Sequence, residues 1–332
     1  METIASAFLG RLPEVARELN RGYLVSGYEA VSEPVMAPGR VAEPKKFLYG
    51  NEAVAMGAMD SGLGFYAAYP MTPASSLIDA VSGDHRVIFF QGEDEIAVAM
   101  SMLGAKFAGK RSMCGTSGGG FALMSESLSF SNQAELGGVY VFSQRAGPST
   151  GTPTFTAQGD LAYALNASFG DTFPIVVAPY TYENGYHLIG KALNWIDTYQ
   201  HPVIFLIDKS FSESHMSVDA SALVAEPVRR GKLVTEPGDA FARYAVTDDG
   251  ISGYSVPGTP DGEFIATSYE HDVYGKETED DAVKTQMEAK RFRKLDTFVQ
   301  EAFGPDFFGY DIVNPDATEF FVTYGINFYG IR

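Results

Sequence analysis

The sequence predicts an α/β protein with a doubly wound, mostly parallel sheet, and two observations carry that prediction. Six short, continuous apolar runs recur between residues 65 and 207, and segments with helical spacing separate them. Runs that are apolar at every position fit strands buried on both faces of a parallel sheet. Regular alternation of such strands with helices implies right-handed βαβ units. The composition agrees, because 45% apolar and 20% charged residues are proportions of a globular chain.

Taken in order, residues 1–45 make a poor start to a domain and read as an N-terminal arm or linker. Pro13–Tyr23 has the spacing of a short helix, while Pro34, Pro38 and Pro44 break up the stretch after it. Residues 46–215 hold the sheet. Its expected strands are Phe65–Ala68, Val87–Phe90, Ser112–Cys114, Val139–Phe142, Ile175–Ala178 and Val203–Ile207. Between them, Pro73–Val81, Glu95–Ala108, Phe121–Gln133, Asp160–Ala167 and Glu183–Tyr199 suit helices. Asn51 is expected to cap a helix over Glu52–Met59, and Thr72 to cap the one that opens with Pro73.

Residues 216–315 read as an irregular excursion and linker with few buried runs. They contain a Gly/Pro-rich loop (Asp248–Gly262), an acidic tract (Glu277–Asp281) and a charged helix (Ala282–Val299). Within residues 316–332 the segment Glu319–Gly325 is strand-like and is followed at once by the end of the chain. It reads as the first strand of a truncated second α/β domain, and the chain as a natural split subunit or a fragment.

Charge and cysteine content exclude several functions. A formal charge of −18 argues against a nucleic-acid partner, since phosphate neutralisation needs surplus Lys and Arg. Cys114 is the single cysteine, so this chain alone can hold neither a disulfide nor a four-thiolate iron–sulfur cluster. The five histidines show no metal-ligand spacing, and no metal ligand is assigned. No apolar run reaches membrane-spanning length, so a soluble, cytoplasmic protein with no membrane partner is expected.

The residues that suit chemistry cluster after expected strands, where α/β proteins place their sites. Glu93, Asp94 and Glu95 open a helix, where carboxylates are favoured by the dipole. Glu95 is distinct in heading a run of small and apolar residues, a setting for a buried carboxyl that shares a proton with a ring nitrogen. Thr72, in Tyr69-Pro-Met-Thr-Pro73, is either an ordinary helix cap or a carboxylate-binding hydroxyl, and both roles are compatible. Arg145 precedes a loop with hydroxyls at Ser149, Thr150, Thr152 and Thr154, a combination suited to gripping a carboxylate bidentately. Thr116, Ser117 and Gly118 begin a Gly-rich turn that reads either as a phosphate cradle or as a tight turn for close backbone approach. The second is favoured, because the turn lacks both the P-loop ending and the dinucleotide spacing.

Four ordered signatures, YPMTP (Tyr69–Pro73), EDEIAVAM (Glu93–Met100), TSGGGF (Thr116–Phe121) and QRAGPSTGTPT (Gln144–Thr154), together resemble the α subunit of 2-oxoacid:ferredoxin oxidoreductases. Further matching stretches are GNEAVAMGAMDSG (Gly50–Gly62), QGDL (Gln158–Leu161), PVIFLID (Pro202–Asp208), RYAVTDDGIS (Arg243–Ser252) and KRFRKL (Lys290–Leu295). The resemblance implies a thiamine-diphosphate pyrimidine-binding domain. Glu95 would contact N1′ of the aminopyrimidine, with Tyr69, Thr116, Ser117 and Gly118 around the cofactor. Thr72, Arg145 and Thr154 would hold the 2-oxoacid, 2-oxoglutarate being favoured over pyruvate. A β subunit would carry the diphosphate site, Mg²⁺ and a [4Fe–4S] cluster and pass electrons to ferredoxin, with coenzyme A as co-substrate. The absence of any Gly-Asp-Gly motif in this chain agrees with a diphosphate held by a partner. Two other readings stay open: a non-catalytic structural or regulatory subunit, and the pyrimidine domain of a transketolase-like enzyme.

Overall fold

A computed structural model describes residues 2–32, 45–238, 241–303 and 309–331. The chain divides into two compact units, residues 1–43 and 44–332. In the first, helices α1 (Glu2–Leu9) and α2 (Glu14–Glu29) pack together, with Ala5 and Leu9 buried. Helix α2 overlaps the expected helix and runs further. Pro34, Pro38 and Pro44 lie outside the described residues.

The second unit is built on six parallel strands. These are β2 (Phe65–Ala68), β3 (Ile88–Gln91), β4 (Ser112–Thr116), β5 (Val139–Gln144), β6 (Ile175–Val177) and β7 (Val203–Asp208), in spatial order β3-β2-β4-β5-β7-β6. Every neighbouring pair is parallel. Alternate residues of the inner strands enter two separate cores, while the edge strand β3 is mostly exposed. Tyr66, Met113, Val141 and Phe205 pack on one side of the sheet with α3 (Gly50–Asp60), α4 (Ser75–Ser82) and α9 (Tyr182–Thr198). Ala67, Cys114, Tyr140, Phe142 and Ile204 pack on the other with α5 (Glu95–Phe107), α6 (Gly118–Leu123) and α7 (Ser125–Gln133). Burial on both faces accounts for the unbroken apolar runs, and each large core side chain contributes roughly 1.5–3 kcal/mol. The expected doubly wound α/β fold is thus the observed one.

Several local expectations are corrected. Asn51 is not a helix cap: α3 begins at Gly50, and the Asn51 amide instead donates to the Pro73 carbonyl at 3.0 Å and the Ser76 hydroxyl at 2.8 Å. Thr72 does not cap α4, which begins at Ser75. Thr72 and Pro73 lie in a turn joined by a cis peptide. The helix expected over Phe121–Gln133 is broken at Met124 into α6 and α7. An unforeseen antiparallel pair joins β1 (Lys45–Tyr49) to β8 (His215–Asp219).

The excursion after β8 is no loose appendage. Its helix α11 (Asp281–Ala302) brings Lys290 and Lys294 onto the buried Glu135 carboxylate, Lys290 at 2.6 Å. Arg243 Nη2 donates to the Glu135 carbonyl at 2.9 Å. A second buried carboxylate, Asp197, faces Lys106, Arg111 and Arg230. Both clusters lie where strands begin, across the sheet from the strands' carboxyl ends. Phe298 also joins the core edge-on to Trp195 and Tyr199. The 319–325 segment is not a strand. It runs as coil into a 3₁₀ turn (Gly325–Asn327) and α12 (Phe328–Ile331), leaving Phe321 and Val322 exposed. Tyr324 and Asn327 bond to Gln158, so the segment is held by its side chains rather than by a strand ladder.

Candidate functional site

The chain leaves β2 through α4 toward β3, on one side, and leaves β4 through α6 and α7 toward β5, on the other. Connections that diverge from adjacent parallel strands open a crevice at their carboxyl ends, where ligands bind in open α/β sheets. The turn after β2 (Tyr69–Ala74), the N-terminus of α5 and the turn into α6 meet at this switch point.

Glu95 is the first residue of α5. Asp94 caps that helix, its Oδ1 accepting from the Ala97 N–H at 2.8 Å, so the neighbouring acid has a local structural duty. Glu95 has no such duty. It is only 4% exposed, and its Oε1 is buried without a hydrogen-bond partner. A buried carboxyl oxygen left unpaired costs on the order of 1–3 kcal/mol or more, which marks a site that awaits a donor. Gly120, in α6, faces it. A Cβ on Gly120 would sit 2.4 Å from Glu95 Oε1 and 2.2 Å from Thr116 Oγ1. Glycine at 120 is therefore what lets α6 close over the carboxyl.

Thr116 ends β4 and is buried, as is Ser117, whose hydroxyl has no partner. Gly118 opens α6 only 3.7 Å, measured from its Cβ position, from Asp160 Oδ2. Burial raises the affinity of the Asp160 carboxyl for its proton. An acid facing the turn opposes a phosphate there and agrees with the tight-turn reading. Tyr69 follows β2 and is 40% exposed at the mouth of the crevice.

Arg145 follows β5 and donates from Nη1 to the Thr72 carbonyl at 2.6 Å, joining two of the foreseen residues. Its other guanidinium nitrogens make no hydrogen bond among the described residues. The turn after β2 also reaches Thr116, whose Oγ1 lies 3.9 Å from Met71 Sδ. The two groups, Glu95–Thr116 and Thr72–Arg145, are thus linked through one turn. Thr154 is not brought to either by a hydrogen bond; it is exposed in the loop that closes on itself through Thr152 N to Ala146 O and Ala146 N to Phe155 O.

Sequence reasoning missed the supports. Asn51 clamps the Pro73 turn from below, and Gly120 makes room for Glu95. Asp208, Gln158 and Gln144 anchor the far end of the Arg145 loop: Gln158 Nε2 donates to Asp208 Oδ2 at 2.8 Å, and Gln144 Oε1 accepts from Asp160 N at 3.0 Å. The Gln158–Leu161 stretch is one of the matching signatures, yet only its place in the fold shows this duty.

Residues 56–291 match the family described as pyruvate flavodoxin/ferredoxin oxidoreductase, thiamine diP-bdg. The alpha subunit of 2-oxoacid:ferredoxin oxidoreductase 2 of Aeropyrum pernix is 37% identical over 289 residues, 80% of this chain and 45% of that protein. The 2-oxoglutarate synthase subunit KorA of Methanocaldococcus jannaschii is 36% identical over 167 residues, 49% of this chain and 46% of that one. Among solved structures, a 2-oxoglutarate:ferredoxin oxidoreductase from Magnetococcus marinus, with 2-oxoglutarate, coenzyme A and succinyl-CoA bound, superposes with a TM-score of 0.81 at 33% identity, over 90% of this chain and 54% of that chain. The chain spans about half the length of the curated relatives it matches. It belongs to the thiamine-diphosphate-binding family of pyruvate flavodoxin/ferredoxin oxidoreductases.

Proposed function

We propose that this chain supplies the aminopyrimidine half of a thiamine-diphosphate site and the carboxylate grip for a 2-oxoacid, in an enzyme that oxidises the acid with coenzyme A and passes electrons to ferredoxin. The observation that carries the reading is the buried, unpartnered Glu95 carboxyl at the switch point, with Gly120 closing over it.

The residues present fit that cofactor. A protonated ring edge is the kind of donor that a buried, unpartnered carboxyl oxygen requires. Thiamine, when bound, supplies a nucleophilic carbon and a sink for the electrons released on decarboxylation. Glu95 holds a proton between its carboxyl and the ring nitrogen N1′, with burial strengthening the exchange by excluding water. Tyr69, Thr116, Ser117 and Gly118 line the ring's approach. Arg145, anchored to the Thr72 carbonyl by one nitrogen, keeps its remaining donors for a carboxylate. The hydroxyls of Thr72 and Thr154 complete that grip.

The reading assigns the diphosphate, Mg²⁺ and the [4Fe–4S] cluster to a β subunit, supported by the lone cysteine and the missing Gly-Asp-Gly motif. Relatives named as alpha subunits support a multi-subunit assembly. The favoured substrate is 2-oxoglutarate, supported by the KorA relatives and by the ligands of the Magnetococcus enzyme.

The test is coenzyme A-dependent reduction of a viologen dye by this chain co-expressed with its partner subunit, comparing 2-oxoglutarate with pyruvate. Turnover that Glu95→Gln abolishes supports the proposal and names the substrate. No turnover from a stable, cluster-loaded complex would sink it in favour of a structural subunit.

A further inference from the structure

We infer that Asn51 is a positioning residue for the 2-oxoacid, its side-chain amide fixing the turn that carries Thr72. The inference rests on the proposed carboxylate grip of Thr72 and Arg145 and adds a residue that acts through it.

Hydrogen bonding in the turn Tyr69–Ala74 carries the argument. Neither the Thr72 nor the Pro73 carbonyl accepts a backbone hydrogen bond among the described residues. Side chains hold both instead: Arg145 Nη1 donates to the Thr72 carbonyl at 2.6 Å, and Asn51 Nδ2 donates to the Pro73 carbonyl at 3.0 Å. Arg145 follows β5 and Asn51 lies in the first turn of α3, so two distant elements grip adjacent peptide units. The second proton of the Asn51 amide goes to Ser76 Oγ at 2.8 Å, in the first turn of α4. One nitrogen thereby sets the turn against the helix that follows it.

The mount behind Asn51 is rigid. Asn51 is fully buried, as are Ala53, Val54 and Ala55 after it. Gly50 lies so close to α10 (Lys209–Glu213) that a Cβ there would stand 2.0 Å from the Phe211 carbonyl oxygen. Asn51 Oδ1, by contrast, is buried without a partner. An apolar side chain of similar shape would avoid the cost of that unpaired acceptor, so what the amide contributes is its two donors. With its carbonyls held between a fixed amide and a guanidinium, the turn keeps Thr72 and Arg145 in one register. Misplacing a binding group by about 1 Å can cost on the order of a hundredfold.

The test uses this chain in complex with its partner subunit, loaded with thiamine diphosphate and Mg²⁺. The substrate is whichever of 2-oxoglutarate and pyruvate the complex oxidises faster. Asn51→Leu keeps the bulk and removes both donors. It should raise KM roughly tenfold, the worth of one neutral hydrogen bond at the upper end of its usual range, with kcat within about twofold of wild type. Asn51→Ala takes its place should the leucine variant fail to assemble. Ser76→Ala spares the bond to Pro73 and should leave KM at the wild-type value. In an Arg145→Lys background, adding Asn51→Leu should change KM by less than about twofold, because both residues act on one turn. Affinity for thiamine diphosphate, titrated by circular dichroism, should match wild type, which a general loosening of the crevice would not allow. A wild-type KM in the Asn51 variant, an equal KM shift from Ser76→Ala, or a matching loss of thiamine diphosphate affinity would overturn the inference while leaving the grip in place. An unchanged KM in Arg145→Lys would overturn the grip and this inference together.

Discussion

Arg145 donates from Nη1 to the main-chain carbonyl of Thr72 at 2.6 Å, tying the loop after β5 to the turn after β2. A planar guanidinium can make that bond and still present a second edge to a carboxylate, whereas an ammonium offers a point charge without the fork. Arg145→Lys is therefore expected to raise KM for the 2-oxoacid by roughly 10–100-fold, the equivalent of about 1.5–3 kcal/mol for a charge-assisted bond, with a smaller effect on kcat. Steady-state kinetics of the assembled enzyme check this, and an unchanged KM would remove Arg145 from the substrate grip.

Gly120→Ala places a methyl 2.4 Å from Glu95 Oε1 and 2.2 Å from Thr116 Oγ1. Overpacking of this kind costs about 1–3 kcal/mol. Gly119 has nothing within 4 Å of its Cβ position, so Gly119→Ala is expected to be nearly neutral. Thermal melts of the two variants should differ in that order; equal melts would show that α6 yields freely.

Asp197 is the sole carboxylate among the described residues paired with Lys106, Arg111 and Arg230. Asp197→Asn strips that cluster of its counter-charge and should destabilise the fold by about 3–5 kcal/mol, read by chemical denaturation. Because the cluster sits at the opposite edge of the sheet from Glu95, cofactor affinity of the folded fraction should stay near wild type.

Lys294 is fully buried, and loss of water pulls its affinity for a proton down to about 7 despite the attraction of Glu135. A lysine lowered in the folded state binds fewer protons than the unfolded chain between about pH 7 and its ordinary value. Stability should then rise with pH across that window, with a slope approaching one proton. Lys294→Met should flatten the rise. Glu135 carries a dependence of the same sign in a lower window: against the cost of burial, Lys290, Lys294 and Arg243 hold its carboxyl well below the usual range, so its contribution is present above the ordinary glutamate value and fades only in strong acid. Denaturation midpoints followed from strong acid to about pH 10 check both windows. A wild-type curve flat above about pH 7 would contradict the Lys294 assignment.

Tyr324 donates to the Gln158 carbonyl at 3.0 Å and toward Gln144 Oε1 at 3.3 Å, strapping the C-terminal segment to the end of the Arg145 loop. Tyr324→Phe removes this one shared donor, worth about 0.5–1.5 kcal/mol. Hydrogen exchange in residues 145–160 should quicken, with the central strands unaffected.

Legibility followed burial pattern. The parallel strands could be read because each carries a short, mostly apolar run, and the central ones, β4, β5 and β7, are buried throughout. Strands β1 and β8 escaped because both are largely exposed and look polar in sequence. The excursion looked loose for a related reason. Its anchors are charged residues, and hydropathy scores Lys290 and Glu135 as surface when they bury one another across 155 positions.

Taken alone, the sequence determined the order of strands and helices and singled out Glu95, because a carboxylate at the head of a small, apolar helix is locally unusual. Tertiary structure decided what that carboxyl meets. Gly120 and Asn51 gained their roles only when separate turns converged on one crevice, and Thr72 lost its role as a helix cap in the same convergence. A side chain's local preference is written in its neighbours along the chain. Its hydrogen-bond partner or counter-ion is chosen by packing between distant segments, which periodicity and composition do not encode.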